Sequence, residues 1–339
     1  MENRDVGAGP LRGAGGWLIT DDKIGMVVQC RGVADALGLN YAHKLVTPRG
    51  FSRLLSPWVR PARSERLGEI GSTFAPPWPD IIIATGRLSI PYVRALSHLA
   101  GPDTFTVVLQ DPKTGLRTAD VIWVPEHDRL RGANVVATLT APHSFSPARL
   151  SQLRHAVPVE IARLPSPRVA LLLGGRSGAC KFTVADLRRF VGAMRSFVTL
   201  DASFLITPSR RTPAALLQAI DGATWSRPRI LWSGEGENPY PNFLAHADIL
   251  VVTADSVNMT GEACATGRPV YVFQPAGISA KLIRFHDALR RYGATRTLPD
   301  HLTSLATWSY SPLDSASQIA SEIGRRWLRQ QSVRHANAN

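Results

Sequence analysis

The chain contains few cysteines and no long apolar stretch. Its three cysteines, Cys30, Cys180 and Cys264, stand far apart and are odd in number. They form neither a metal-ligand spacing nor a disulfide pattern, so the sequence predicts a reducing, cytoplasmic environment. No apolar run approaches the roughly 18 residues that a membrane-spanning helix needs, so a transmembrane helix is not predicted.

The first residues lack the apolar core of a secretory signal. The segment MENRDVGAGPLRGAGG is rich in glycine and carries two acids, Glu2 and Asp5, which transit peptides avoid. We therefore expect residues 1–15 to form a mobile, disordered tail.

Acidic residues are scarce relative to basic ones. The chain has 39 Lys and Arg against 26 Asp and Glu, which gives a net charge of +13. Such a surface favours anionic partners, among them nucleic acid, acidic lipid and phosphorylated small molecules. No zinc-finger or RNP1-type motif accompanies the charge, so nucleic acid is not the expected partner.

The basic charge is densest between Lys44 and Arg66. This stretch has six basic residues and one acid, Glu65. Its large apolar residues are Phe51, Leu54, Leu55 and Trp58. One interpretation is a loop with a solvated helix face. The other is a patch that binds an anionic membrane surface, which would place a cytoplasmic protein peripherally on the inner face of the membrane.

Short apolar runs alternate with helix-like segments, and this rhythm begins twice. Predicted strands occupy residues 16–19, 80–84, 105–109, 121–124 and 135–136, then 169–173, 204–206, 230–232, 249–252 and 270–273. Near-continuous β-branched runs are typical of parallel strands covered on both faces. We therefore predict an α/β protein with two doubly wound, Rossmann-like domains. The predicted bounds are 16–164 for the first and 165–310 for the second, with a C-terminal helix at 311–334 packing back on the first.

Ligands of open parallel sheets bind beyond the carboxyl ends of the strands, and two loops of the second half carry suitable groups there. Gly174 and Gly175 precede Arg176 and could bring backbone amides close to a phosphate, or form a plain tight turn. A second loop contains Ser209, Arg210 and Arg211. Its arginines could hold a phosphate by bidentate hydrogen bonds, or simply lie in a surface turn.

The stretch TADSVNMTGEACATGRPVYVF places many polar residues between two apolar runs. Its candidate nucleotide-binding residues are Asp255, Ser256, Asn258, Met259, Thr260 and Glu262. Ser256 and Asn258 are good N-cap residues, and a helix amino terminus suits a diphosphate. The two acceptor oxygens of Glu262 suit the vicinal hydroxyls of a ribose. The alternative is a buried structural glutamate paired with an arginine.

Three loops of the first half would face the acceptor side. The candidates are Lys23, Gly25 and Gln29 after the first strand, and Gly86 and Arg87 after the run at 80–84. Glu126, His127 and Asp128 follow another strand and include a conceivable general base. The alternative for these three is a loop whose acids cap backbone amides. Neither a metal-ligand set nor a Walker loop is present, so no metal and no cofactor is expected.

Several segments together resemble one known family in sequence and in order. They include WLITDDKIGMVVQCRGVADALGL, PDIIIATGR, VPEHDRLRGANVVAT, LLLGGRSG, TPSRRTP and GENPYPNFLAHADILVVTADSVNMTGEACATGRPVYVF. They resemble the mitochondrial fission ELM1 family over about Trp17 to Thr297. The resemblance implies a GT-B-like fold: two Rossmann-like domains facing across a cleft, with the nucleotide-sugar donor on the second domain. It also implies that Glu262 holds the donor ribose.

The leading hypothesis is a metal-independent GT-B glycosyltransferase that takes a nucleotide-diphosphate sugar to a cell-envelope or lipid-linked acceptor. Arg210, Arg211 and the helix start near Ser256 would offset charge on the leaving diphosphate. One alternative is a nucleotide-sugar epimerase on the same fold. Another is a non-catalytic, membrane-associated adaptor, because the plant member of the resembled family implies a role in bringing a dynamin-like protein to mitochondria.

Overall fold

The computed structural model describes residues 9–21, 23–175 and 180–338, without the side chains of 337 and 338. The chain divides into two compact units. Unit 1 comprises residues 1–144 together with 314–339, and unit 2 comprises residues 145–313.

The elements are numbered in chain order. The strands are β1 (Gly15–Thr20), β2 (Asn40–Leu45), β3 (Ile81–Thr85), β4 (Phe105–Leu109), β5 (Val121–Pro125), β6 (Val135–Thr138), β7 (Arg168–Leu173), β8 (Cys180–Lys181), β9 (Ser203–Pro208), β10 (Arg229–Leu231), β11 (Ile249–Thr253), β12 (Val270–Phe273), β13 (Gly277–Ile278) and β14 (Thr295–Thr297). The helices are α1 (Ile24–Leu37), α2 (Gly50–Leu55), α3 (Ile90–Leu99), α4 (Pro147–His155), α5 (Val159–Ala162), α6 (Val184–Thr199), α7 (Ala214–Thr224), α8 (Tyr240–His246), α9 (Val257–Cys264), α10 (Ala280–Tyr292) and α11 (Ser315–Ala338).

Unit 1 contains a six-stranded parallel sheet in the order β2-β1-β3-β4-β5-β6. In its middle, Leu18 of β1 lies beside Ile83 of β3, and both are fully buried. Helices α1 and α11 contribute to the core on one face of the sheet, and α3 contributes to the other. Burial on both faces explains why the inner strands are continuous apolar runs instead of alternating ones.

Unit 2 contains a second six-stranded parallel sheet in the order β10-β9-β7-β11-β12-β14. Its core collects Phe190 and Phe197 from α6 with Phe273 from β12. A capping box formed by Thr183 and Asp186 fixes the start of α6, because each side chain bonds the other's backbone amide. These two sheets confirm the predicted α/β class with two Rossmann-like domains.

The two units differ from the sequence predictions at their boundaries. Leu11 is buried in the core of unit 1, so the described end of the predicted tail, residues 9–15, is ordered. The boundary between the two compact units falls after residue 144, earlier than the predicted domain boundary after residue 164. Helix α4 packs on α8, and Arg154 donates hydrogen bonds to the carbonyls of Ala245 (3.2 Å) and Thr266 (2.8 Å), which ties α4 to unit 2.

Helix α11 returns the chain to unit 1 after unit 2 is complete. It packs against α1, and Ile319 and Ile323 are fully buried in the unit 1 core. The hydroxyls of Ser315 and Thr140 lie 2.7 Å apart at the start of the helix. No helix in the described part of the chain is long and apolar enough to cross a membrane.

Candidate functional site

The candidate site in unit 2 lies where the strand order reverses. If the six strands of this sheet are numbered in chain order, they lie side by side in the order 3-2-1-4-5-6. The chain therefore adds β9 and β10 on one side of β7 and then adds β11, β12 and β14 on the other side. In open parallel sheets the crevice at the carboxyl ends of two such strands receives ligands. Residues Gly174 and Gly175 follow β7 there, and Ala254 and Asp255 follow β11.

Asp255 ties three loops of this edge together. Its side chain is fully buried and forms an ion pair with Arg211 at 2.9 Å. The carboxylate also accepts hydrogen bonds from the Gly175 amide (3.0 Å) and from the Thr253 hydroxyl (2.7 Å). Asp255 therefore braces this edge from within through the Gly175 amide and the Arg211 guanidinium, and its place in a nucleotide site stays a prediction.

The two glycines are required by this packing. A Cβ on Gly174 would collide with the Asp255 carboxylate, and a Cβ on Gly175 would collide with the backbone oxygen of Arg211. The Gly174 amide donates to the Thr253 hydroxyl at 2.7 Å. As predicted, the backbone of this loop comes close to other groups. Those groups are Asp255, Thr253 and Arg211 of the protein itself. Arg176, the cation predicted beside the glycines, lies outside the described residues.

The loop after β9 separates its two arginines. Ser209 shapes the turn, because its hydroxyl accepts from the Arg211 amide (3.2 Å) and its own amide donates to the Thr212 hydroxyl (2.9 Å). Arg211 is held by Asp255. Arg210 is exposed and belongs to none of the ion pairs found among the described residues. Arg210 is therefore the cation of this loop that no carboxylate among the described residues engages.

Helix α9 begins at the same edge of the sheet. Ser256 is its N-cap, and the Ser256 hydroxyl accepts from the Met259 amide at 3.3 Å. Thr260 is buried and donates its hydroxyl to the Ser256 carbonyl at 2.8 Å, so this side chain serves the helix. Asn258 lies in the first turn of the helix. The predicted N-cap is confirmed, and it leaves the positive end of the helix dipole at the crevice.

Glu262 lies further along α9 and is buried. Its carboxylate accepts a hydrogen bond of 2.5 Å from the hydroxyl of Tyr240, the first residue of α8. Burial raises the pKa of Glu262 above its usual range, and the Tyr240 bond partly offsets that rise. Burial and the neighbouring Glu262 raise the pKa of Tyr240. The suggested arginine partner is thus wrong for the described structure, since the partner is a tyrosine.

The sequence analysis did not single out Tyr240. The signal that could have identified it is the NPYP sequence. The side-chain oxygen of Asn238 accepts a hydrogen bond from the Tyr240 amide at 3.1 Å, at the start of α8. The spacing between residues 240 and 262 gives no hint of the contact. Helices α8 and α9 flank β11 in the chain, and only the folded structure shows that these two side chains meet.

The first-half candidates fall into three places at the carboxyl edge of the unit 1 sheet, after β1, β3 and β5. After β1, the Lys23 ammonium pairs with the buried Asp21 at 2.6 Å, and Gly25 lies in the first turn of α1. Gln29 is buried and accepts from the side-chain amide of Gln110 at 3.3 Å. Gln110 follows β4 with a φ of 96°, and the sequence analysis did not single it out.

The Gly86–Arg87 turn after β3 has a structural function. Gly86 has a φ of 94°, and a Cβ there would lie 2.6 Å from the Met26 sulfur, so a side chain is excluded. The Arg87 guanidinium donates to the carbonyls of Arg53 (3.1 Å), Leu54 (3.1 Å) and Ser56 (2.5 Å). This arginine, predicted to face an acceptor, is therefore engaged with the end of α2. The turn also lines a cavity of 220 Å³ together with Gln110, Asp111 and Lys113.

The predicted acid–base group lies in a tight turn after β5. The Asp128 amide donates to the Pro125 carbonyl at 2.9 Å, and the Glu126 amide donates to the Thr138 carbonyl at 2.9 Å. Arg131 closes the turn, because its guanidinium binds the backbone carbonyls of Glu126 (2.9 Å) and Asp128 (2.6 Å). His127 lies between these two acids in the same turn. These bonds brace the turn through its backbone, and both interpretations of its acids stay predictions.

Two parallel, doubly wound units of this kind define the GT-B class of folds, as predicted. Solved structures agree with this class. The UDP-GlcNAc 2-epimerase from Methanocaldococcus jannaschii matches with a TM-score of 0.52 at 10% identity, over 91% of this chain and 99% of that chain. The S. aureus MnaA-UDP co-structure matches with a TM-score of 0.51 at 12% identity, over 94% of this chain and 90% of that chain. At these identities the likeness concerns the fold alone.

The family follows from sequence. The model of the mitochondrial fission ELM1 family matches residues 24–327, and the chain belongs to that family. The mitochondrial fission protein ELM1 of Arabidopsis thaliana is 27% identical over an alignment 372 residues long, gaps included. The alignment covers 88% of this chain and 87% of the relative. An uncharacterized protein of Rickettsia prowazekii (strain Madrid E) is 30% identical over 159 residues, 45% of each chain.

Proposed function

We propose that this protein binds a nucleotide-diphosphate sugar at the carboxyl edge of the unit 2 sheet. It would act there as a GT-B-type glycosyltransferase, with a cell-envelope or lipid-linked acceptor. The observation that carries the proposal is Glu262, a buried carboxylate on α9 beside the reversal of strand order, which accepts a hydrogen bond from Tyr240 of α8. A carboxylate in this position is expensive to bury and offers acceptor oxygens to a polar ligand.

The neighbouring groups suit the two ends of such a ligand. The vicinal hydroxyls of a ribose would donate to the Glu262 carboxylate. The diphosphate would lie toward the amino terminus of α9 and Arg210, where the helix dipole and an unpaired cation favour negative charge. Charge that develops on the leaving diphosphate would be stabilised by the same two groups. Asp255 would remain an internal brace that fixes Gly175 and Arg211.

Known proteins of this fold support the class of ligand. The names of three solved structures with a TM-score above 0.5 refer to UDP-GlcNAc or UDP. That likeness concerns architecture, so the ligand requires its own test.

Calorimetry with UDP, GDP and CMP tests the donor site. We expect one of these nucleotides to bind, and Glu262→Gln to weaken its binding by about 1–3 kcal/mol, the scale of losing a charged hydrogen-bond acceptor. Glutamine keeps the size of the side chain and an acceptor for the Tyr240 hydroxyl, so the variant should fold. Glu160→Gln, an exposed change on α5, is the matched control. Absence of binding by all three nucleotides, or equal affinity of both variants, would refute the donor site.

An epimerase would share this donor site and differ in its product. Incubation with a UDP-sugar alone separates the two activities, because an epimerase changes the sugar without an acceptor and a transferase needs one. A non-catalytic adaptor of the mitochondrial-fission type predicts no nucleotide binding. The name of the Arabidopsis relative favours keeping this adaptor as an alternative. A lipid-linked acceptor would also require a peripheral position at a membrane.

A further inference from the structure

Helix α2 exposes the face that its sequence marks as apolar. Phe51, Leu54 and Leu55 follow the i, i+3, i+4 spacing that normally marks the buried side of a helix, and Trp58 lies in the turn after the helix ends. Their exposed fractions are nevertheless 81%, 71%, 47% and 65%. None of the residues of α2 is buried. An apolar face that is built into a helix and turned to water indicates a surface that something else covers.

The helix is held in place without using this face. Arg87 donates to three carbonyls at its carboxyl end, those of Arg53, Leu54 and Ser56. The Ser56 hydroxyl donates to the Ser52 carbonyl at 2.7 Å and closes the last turn. A six-residue helix is marginal by itself in water, so these side-chain bonds take the place of core packing. The apolar side chains are left available.

The flanking charge is positive. Arg53, Arg60 and Arg63 are exposed, and none of the three pairs with a carboxylate in the part of the chain that the structure describes. The acid of this stretch, Glu65, accepts the hydroxyl of Tyr92 at 2.8 Å. The surface therefore combines large apolar side chains with unpaired guanidinium groups.

We propose that α2 and the turn that follows it, residues 50–63, dock on an anionic membrane surface. Aromatic and leucine side chains enter the headgroup boundary of a bilayer while arginines bind lipid phosphates, which matches both halves of this surface. A protein partner is a poorer match, because a stable interface engages about 20–30 residues a side. This inference does not depend on nucleotide binding.

Co-sedimentation of the full chain with vesicles tests the proposal. Vesicles of phosphatidylcholine mixed with phosphatidylglycerol should bind the protein, and pure phosphatidylcholine should bind it much less. Binding should weaken as salt rises, because exposed charges are screened. Replacing Arg53, Arg60 and Arg63 together by Ser should lower binding by about 100-fold, at about fivefold for each cation. Replacing Phe51 and Trp58 by Ser should lower it by at least about tenfold.

The control variant replaces Arg195, Arg284 and Arg291 by Ser, which removes the same charge from exposed positions of unit 2. It should bind vesicles at close to the parental level. Equal loss in this variant would mean that net charge alone acts, and would overturn the proposal. Equal binding to both vesicle types, or to neither, would do the same. The protein could instead self-associate as its concentration rises, and the Phe51 and Trp58 changes could abolish that association. This outcome would assign the apolar face to a second copy of the chain and would also overturn the proposal. Nucleotide affinity is measured in the same variants and should be unchanged, so that a failure of membrane binding can be told apart from a failure of the donor site.

Discussion

At the scale of single residues, Gly175 and Asp255 show how tightly the edge of unit 2 is built. The Gly175 amide binds the buried carboxylate, and the adjoining backbone of Arg211 leaves no room for a Cβ. We expect Gly175→Ala to lower the free energy of unfolding by at least about 1.5–3 kcal/mol, the value of a hydrogen bond to a charged group. Urea unfolding followed by circular dichroism measures this change.

The matched control is Gly222→Ala in α7, where a Cβ would meet open space. Alanine is the better helix former by about 0.5–1 kcal/mol, so this variant should be slightly more stable. A Gly175→Ala protein as stable as the parent would contradict the packing described at this loop.

His286 makes stability depend on pH. The ring is buried in α10; its Nε2 lies 2.8 Å from the Ala254 carbonyl, and its Nδ1 has no hydrogen-bond partner among the described residues. Burial lowers the pKa of His286, and nearby Arg290 lowers it further, against the opposing effects of the Ala254 carbonyl and Asp287. Below the ordinary histidine pKa of about 6.5 the unfolded chain takes up a proton that the native ring resists. Stability should therefore fall as pH drops through this range toward the lowered native value.

The measurement is the free energy of unfolding from about pH 7.5 to pH 5, compared between the parent and His286→Gln. Loss of this one titration should remove up to about 1.4 kcal/mol per pH unit from the slope. His246 also has a lowered pKa, so some slope will remain in the variant. Parallel curves for the two proteins would show that His286 does not contribute.

At the scale of elements, the central strands and the edge strands β6 and β10 could be predicted, and the edge strands β2 and β14 could not. Inner strands such as β3 and β11 are buried throughout, and their apolar runs reveal them. Edge strand β2, with sequence NYAHKL, is half exposed and polar, and β14 is only three residues long. Neither has an apolar run, since most of their residues are exposed. Hydrophobic periodicity therefore had no signal to detect there.

The candidate site was predictable to the level of loops. The rule that ligands meet the carboxyl ends of parallel strands selected the loops of Gly174, Ser209 and Asp255. The partners within those loops were not predictable, because Asp255 with Arg211 and Tyr240 with Glu262 are contacts between distant parts of the chain. A sequence shows which residue is polar, and the fold decides whether another residue already satisfies it.

The hydrogen bonds from Arg87 to the end of α2, called here the Arg87 clasp, give a prediction for a whole element. Arg87→Lys should free the end of the helix, because a compact ammonium cannot bind three carbonyls as a planar guanidinium does. Hydrogen exchange read out by mass spectrometry should show faster exchange in residues 50–58. Exchange in α3, which is anchored by buried residues such as Val93 and Leu96, should be unchanged. Unchanged exchange in α2 would mean that the clasp is not what orders it.

At the scale of the whole molecule, the chain leaves unit 1 after residue 144 and completes it only with α11. Unit 1 thus depends on residues from both ends of the sequence, so that part of its core forms only when the last helix is in place. Ile319 and Ile323 supply this dependence, since both are fully buried beside α1 residues such as Val33.

Truncating these two side chains should therefore weaken unit 1 from the far end of the chain. Ile319→Ala and Ile323→Ala should each lower stability by about 2–5 kcal/mol, because each leaves a cavity as well as removing buried apolar area. Val333→Ala lies on the same helix at an exposed position and should change stability by less than about 0.5 kcal/mol. Hydrogen exchange of α1 is the local measurement: its protection should drop in the two isoleucine variants and persist in the valine variant. Full protection of α1 in the isoleucine variants would mean that α11 lies against the core without stabilising it.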